Sequence, residues 1–167
     1  HPIYEADGEH QRLLRVLEIE VAVSEDPEET VRALGTALDI AENSLQDPAR
    51  ALGYAERALR EAVGHSELAT WFAHLDRLAN VTGRHREHVQ LLCDVVPNIF
   101  DGDVQLEVTL KVAELARHKL GEQKLAREYY ENALELRAED RRALVALESL
   151  YDEVGDAQSL LGILERR

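Results

Sequence analysis

The sequence predicts an all-α fold, a solenoid of stacked helix–turn–helix units, and three observations carry that prediction. Gly121 and Gly155 stand 34 residues apart (155 − 121 = 34), each closing a stretch with helical periodicity. A repeat of about that length, with glycine between two helices, is typical of helical repeat arrays. Leu and Ala dominate the apolar residues while aromatic content is 5%, which favours helix over sheet. No segment alternates apolar and polar residues as a half-buried strand does. One such unit cannot bury its apolar face alone, so units stack and leave an extended surface for other macromolecules.

The elements follow in chain order. Residues 1–8 lack periodicity and read as an irregular lead-in to one continuous array over 9–167. A first helix runs from Glu9 to about Val23 on Leu13, Leu14, Leu17 and Val21. Asp26 caps the second, with Pro27 at its first position and acids at its positive end. This helix reaches about Leu45, and Asp47-Pro48 opens a third carrying Ala51, Leu52, Ala55, Ala58 and Leu59. Gly64 ends it, Ser66 caps a fourth with Trp71, Phe72, Leu75 and Leu78, and Gly83 ends that one. A fifth runs from about His85 until Pro97 halts it. The sixth covers roughly Val104 to Leu120, the seventh Glu122 to Arg137, the eighth Arg141 to Val154 after the Asp140 cap, and the ninth Ala157 onward.

Charge and composition narrow the partners. Acidic residues number 33 against 19 basic ones, a net −14, a field that repels nucleic acid and anionic membranes and speeds the approach of a basic partner. Cys93 stands alone, so no disulfide framework forms, and no apolar run reaches the roughly 20 residues that span a bilayer. A cytoplasmic protein is expected. The chain contains no methionine and its first residue is His1, as in a segment of something longer.

Chemistry-bearing patterns are few. His85 and His88 share a helix face at i and i+3, a zinc-ligand spacing that needs a third donor, for which His74 or Glu87 is a guess. Exposed histidines at a helix start are the commoner arrangement. Cys93 sits among Leu91, Leu92 and Val96, where a buried, inert thiol is expected. The acid pairs Glu25/Asp26 and Asp101/Asp103 flank helix starts and serve as caps. Phosphate-binding glycine loops, nucleophile elbows and cysteine pairs are missing. The expectation is a non-catalytic protein without metal or cofactor. Trp71 and Phe72 are consecutive, so one faces the core while the other faces a groove or neighbouring unit.

Residues 107–140 resemble a tetratricopeptide repeat. Ala126 and Ala133 fall on its two small second-helix positions, Tyr130 on its aromatic position and Leu110 on its large first-helix position. Ala113, Glu114 and Arg117 depart from the expected leucine, glycine and tyrosine, and Ala138 replaces the usual proline. In the next unit Leu144, Leu147, Tyr151 and Gly155 match, while Glu148 replaces glycine. Earlier, Ala51, Tyr54-Ala55 and Ala58-Leu59 echo Ala126, Tyr129-Tyr130 and Ala133-Leu134 at 75 residues (126 − 51 = 75). Glu9-His10 echoes Glu87-His88 at 78 residues (88 − 10 = 78). The pattern is similar to a duplicated two-repeat unit within the degenerate arrays of some large bacterial proteins, with both ends cut from a longer array.

That resemblance implies a right-handed α-α superhelix of about four repeats, tetratricopeptide-like throughout, that binds a peptide or protein on its concave face. Carrying the family's groove positions across gives Ala33, Thr36, Ile40 and Asn43, then Thr70, Ala73, Arg77 and Asn80. The two later first helices give Val108, Lys111, Leu115 and His118, then Arg142, Val145, Ser149 and Asp152. Arg77, Lys111 and Arg142 would meet a carboxylate, and Asn43 and Asn80 a peptide backbone. The lysine- and asparagine-rich clamp of some relatives for acidic tails is not reproduced. The alternative is a structural spacer or self-association module, with a second copy of the chain as partner.

Overall fold

The computed structural model describes residues 2–63, 68–154 and 157–166, and side chains within 6–63, 68–153 and 161–165. Gly64, Ser66 and Gly155, expected at helix ends, lie outside them. The chain forms two compact units, His1–Arg84 and His85–Arg167. The first holds α1 (Pro2–Val23), α2 (Pro27–Asp39, prolonged by a π-helical turn Ile40–Ser44), α3 (Pro48–Ala62) and α4 (Leu68–Thr82). The second holds α5 (His85–Val95, then a 3-10 turn Val96–Asn98), α6 (Gly102–Leu115, prolonged by a π-helical turn Ala116–Leu120), α7 (Gln123–Leu136), α8 (Arg141–Val154) and α9 (Ala157–Arg166). No strand occurs among the described residues.

Local chemistry sets most helix starts. The Asp26 carboxylate accepts from the Glu28 amide at 3.0 Å, and that of Asp47 from the Arg50 amide at 3.1 Å. Asp101 accepts from the amides of Asp103 and Val104 at 2.9 and 3.2 Å, so α6 starts at Gly102, before the first apolar residue. Asp140 accepts from the Ala143 amide at 3.0 Å. The irregular lead-in over 1–8 is corrected: α1 begins at Pro2. Proline suits a first helical turn, and Ala6 to Glu9 are exposed, so this part of the helix leaves no apolar period to read.

The echo at 75 residues is structural. The Asp47 amide donates to the Ala41 carbonyl, and the Glu122 amide to the Ala116 carbonyl, both at 2.8 Å (122 − 47 = 75; 116 − 41 = 75). Each bond closes a π-helical turn over a left-handed residue, Gln46 at φ 52° and Gly121 at φ 67°. Glycine occupies that region freely, whereas a side chain there costs about 1–2 kcal/mol. Gln46→Gly is therefore expected to stabilise the chain by about 0.5–1 kcal/mol after the extra entropy of the unfolded glycine. In a thermal melt the midpoint rises by about 1–4 °C, and Gly121→Ala shifts it the other way.

The same register places small residues where helices cross. Ala51, Ala55, Ala58 and Leu59 of α3 are buried against α2 and α4, with Leu34 and Leu38, and Leu75 and Leu78. In the second unit Leu106, Leu110 and Ala113 meet Ala126, Tyr130, Ala133 and Leu134, then Ala143, Leu144, Leu147 and Leu150. Each buried leucine contributes about 1.5–3 kcal/mol. Alanine at the crossings lets the leucines of adjacent helices interdigitate at native packing density.

Candidate functional site

In the first unit the expected groove residues sit on α2, its π-helical turn and α4, and the polar groups of Thr36, Asn43 and Arg77 are engaged within the chain. Arg77 pairs with Glu42, and its other Nη lies 2.8 Å from Nδ1 of His74. The His74 ring in turn stands 5.6 Å from that of Trp71, tilted by 51°. Trp71 is buried, and a Cβ built on Gly35 would lie 3.5 Å from its ring. The tryptophan thus packs α4 onto α2, and Phe72 is half-buried. Asn43 donates to Asp39 Oδ1 at 2.6 Å, and Thr36 to the Arg32 carbonyl at 3.2 Å, while Asn80 is exposed. Thr36 and Ala33 line a groove of about 750 Å³ shared with α1.

In the second unit Lys111, His118 and Arg142 come together. With Glu107, Leu110, Glu114 and Tyr130 they line a depression of about 270 Å³. Arg142 grips Glu107 with two hydrogen bonds, 2.9 and 2.8 Å, and reaches Asp140 Oδ2 at 3.2 Å. Those bonds hold the Glu107 carboxyl below its ordinary range and push the guanidinium further up. Burial pushes the Tyr130 hydroxyl up. Lys111 is half-buried and His118 exposed on the π-helical turn. Ser149 lies elsewhere, accepting from Arg117 at 2.8 Å.

Four groove positions are corrected. Ala33, Ile40, Val108 and Leu115 are 8%, 7%, 5% and 5% exposed, so they belong to the core. On α6 the reason is plain: Leu106, Val108, Thr109, Leu110, Val112, Ala113 and Leu115 are all buried, and a helix apolar around most of its circumference is covered on several sides.

The chemistry-bearing residues of the sequence do not assemble. His88 is 2% exposed, a core residue where an exposed one was expected, and His85 is half-buried. Among the described residues no three His, Cys, Asp or Glu side chains gather as metal ligands. Cys93 is half-buried rather than buried, hydrogen-bonded with Tyr129, and burial pushes its thiol up. That is the opposite of an activated thiolate.

No family model matches the chain, and no curated protein matches it. Solved structures do. The chain resembles the crystal structure of MamA with a TM-score of 0.55 at 13% identity, covering 97% of this chain and 88% of that one. It resembles the nearly identical TPR-like repeats of a kinesin light chain from Podosopora anserina with a TM-score of 0.54 at 18% identity, covering 98% and 87%. The fold is a TPR-like helical repeat array.

Within this TPR-like fold, sequence reasoning missed a set of arginine–carboxylate pairs spaced by one repeat. Glu42 and Arg77, and Glu107 and Arg142, are each 35 residues apart. Asp103 and Arg137 are 34 apart, and Glu122 and Arg86 are 36. One repeat brings the chain back beside itself on the neighbouring helix of the same kind, so opposite charges at that spacing meet. The legible signal was Glu or Asp recurring against Arg at 34 to 36 residues. Exposed pairs of this kind contribute about 0–1 kcal/mol each, yet they occupy Arg77 and Arg142, two of the three cations expected to meet a ligand. TPR-like arrays generally serve as protein–protein interaction scaffolds. Among the described residues no helix is long and apolar enough to cross a membrane.

Proposed function

We propose that this chain is a non-catalytic scaffold that holds a peptide or protein segment on the exposed surface of its first-of-pair helices. The observation that carries the reading is the depression on α6 and α8 where Lys111, His118 and Arg142 meet Leu110 and Tyr130. It sets the donors of Lys111 and Arg142 among the acceptors Glu107 and Glu114, which suits a segment presenting amide or mixed polar groups. Arg142 is shared with Glu107 and orders the wall, and Lys111 and His118 line the depression beside it.

The test is a peptide display library screened against the immobilised 167-residue chain. Lys111→Ala with His118→Ala is expected to weaken the selected peptides about tenfold, the effect of losing exposed charge-assisted contacts. The unfolding midpoint should stay in place. Peptides that bind both forms equally would remove this surface from the reading.

A further inference from the structure

We propose that the groove between α1 and α2 is a seat for an amphipathic helix with basic flanks. This deepens the scaffold reading and rests on it, but uses a different surface from the α6–α8 depression. The first observation is that α1 is apolar on two sides. Leu14 and Leu17 point inward and are buried, while Val16, Ile19 and Val23 stand 51%, 62% and 73% exposed. Steps of three and four residues align those three in one stripe. Val23 of that stripe lines the groove of about 750 Å³, alongside the nearly buried Leu17 of α1 and Ala33 of α2.

The same unit shows what kind of object α2 accepts. On another side of α2 the helix α4 is seated, its Trp71 against Gly35 and its Arg77 paired with Glu42. α4 packs chiefly on α3, and to α2 it adds one aromatic ring over a glycine and one arginine on a carboxylate. The groove has a small residue in Ala33 and a rim of Glu20, Glu25 and Glu29 against Arg32 as the one cation of its lining. All four charged side chains are exposed. A pair of helices has no open strand edge, so an extended peptide finds no backbone ladder to join, whereas an apolar helix face fits such a groove. The acidic rim selects lysine or arginine beside that face and repels anionic lipid.

The test uses a fluorescent synthetic helix of about 18 residues, five turns, with leucines along one face and lysines beside them. One comparator carries glutamates in place of the lysines, and another has the same composition with the leucines permuted off the face. Anisotropy with the whole chain at physiological salt is expected to show binding of the first peptide and at least about tenfold weaker binding of both comparators. Ile19→Asp, and Glu20→Lys with Glu25→Lys, should each weaken the first peptide about tenfold at an unchanged unfolding midpoint.

Glu128→Lys with Glu135→Lys on α7 makes the same change in net charge at exposed positions and should leave binding nearly intact. Equal loss in this control would mean unspecific attraction to an acidic protein and would overturn the proposal. So would indifference to Ile19→Asp, or no binding of the first peptide. If Lys111→Ala with His118→Ala abolishes binding while the α1 variants do not, the seat is wrong and the α6–α8 surface stands. If light scattering shows a mass that grows with concentration and Ile19→Asp prevents it, the occupant is a second copy and the proposal fails.

Discussion

Replacing Trp71 with alanine is expected to destabilise the chain by about 3–5 kcal/mol, the range for deleting a buried aromatic side chain. From the sequence, burial between repeats was favoured for this residue over a role as partner anchor. The structure places it 6% exposed, close over Gly35 of α2 and beside the His74 ring. Its removal opens a cavity between α2 and α4 and frees His74 and Arg77 from their packing. Because α2 and α3 share that core, the unit loses a support common to three helices. Urea unfolding followed by far-ultraviolet circular dichroism reads the effect as a lower midpoint. Trp71→Phe should recover much of the loss, since a smaller aromatic still covers Gly35. A Trp71→Ala chain of unchanged midpoint that had lost partner binding would restore the anchor role.

Enlarging an alanine at a helix crossing acts in the opposite sense with a similar result. Ala133→Leu in α7 is expected to destabilise by about 1–3 kcal/mol through overpacking. Ala133 is fully buried among Leu106, Leu110, Tyr130 and Leu147, where an added isobutyl group must force α7 away from its neighbours. Ala58→Leu probes the corresponding crossing in α3, also fully buried, and should behave alike if the two hairpins are structural copies. Leu136→Ala, on the same helix but 44% exposed, is the control, with an effect within about 0.5 kcal/mol. Chemical unfolding of the three variants side by side gives the comparison. A stable Ala133→Leu chain would show that the crossing has slack and that alanine there is incidental.

The two predictions mark where sequence reading succeeds and where it stops. Ala126 and Ala133 were legible because a crossing of two helices demands a small residue at a fixed step, and that step survives in the chain even where other positions have drifted. The 75-residue echo was legible for the same reason, and the paired turns at Gln46 and Gly121 have the geometry it implied. Leu115 and Val108 misled because groove positions were carried over by number, while burial depends on how much of a helix is apolar. On α6 seven of the ten residues from Leu106 to Leu115 are buried. Arg77 and Arg142 misled because charge was counted without partners. A guanidinium already held by Glu42 or Glu107 presents a neutral pair to an incoming carboxylate.

Helix starts, turn positions and the alanine seam follow from the sequence by itself, because capping, left-handed glycine and close crossing are decided by residues within a few positions of one another. The tertiary structure alone decided that Trp71 packs over Gly35 of α2 and that His88 is core, that the arginines are paired one repeat away, and that α1 keeps an apolar stripe in solvent. Each of these depends on which helix comes to lie against which, and on the rotation of each helix about its axis. Residues about 35 positions apart in the chain set that arrangement, beyond the reach of any local pattern.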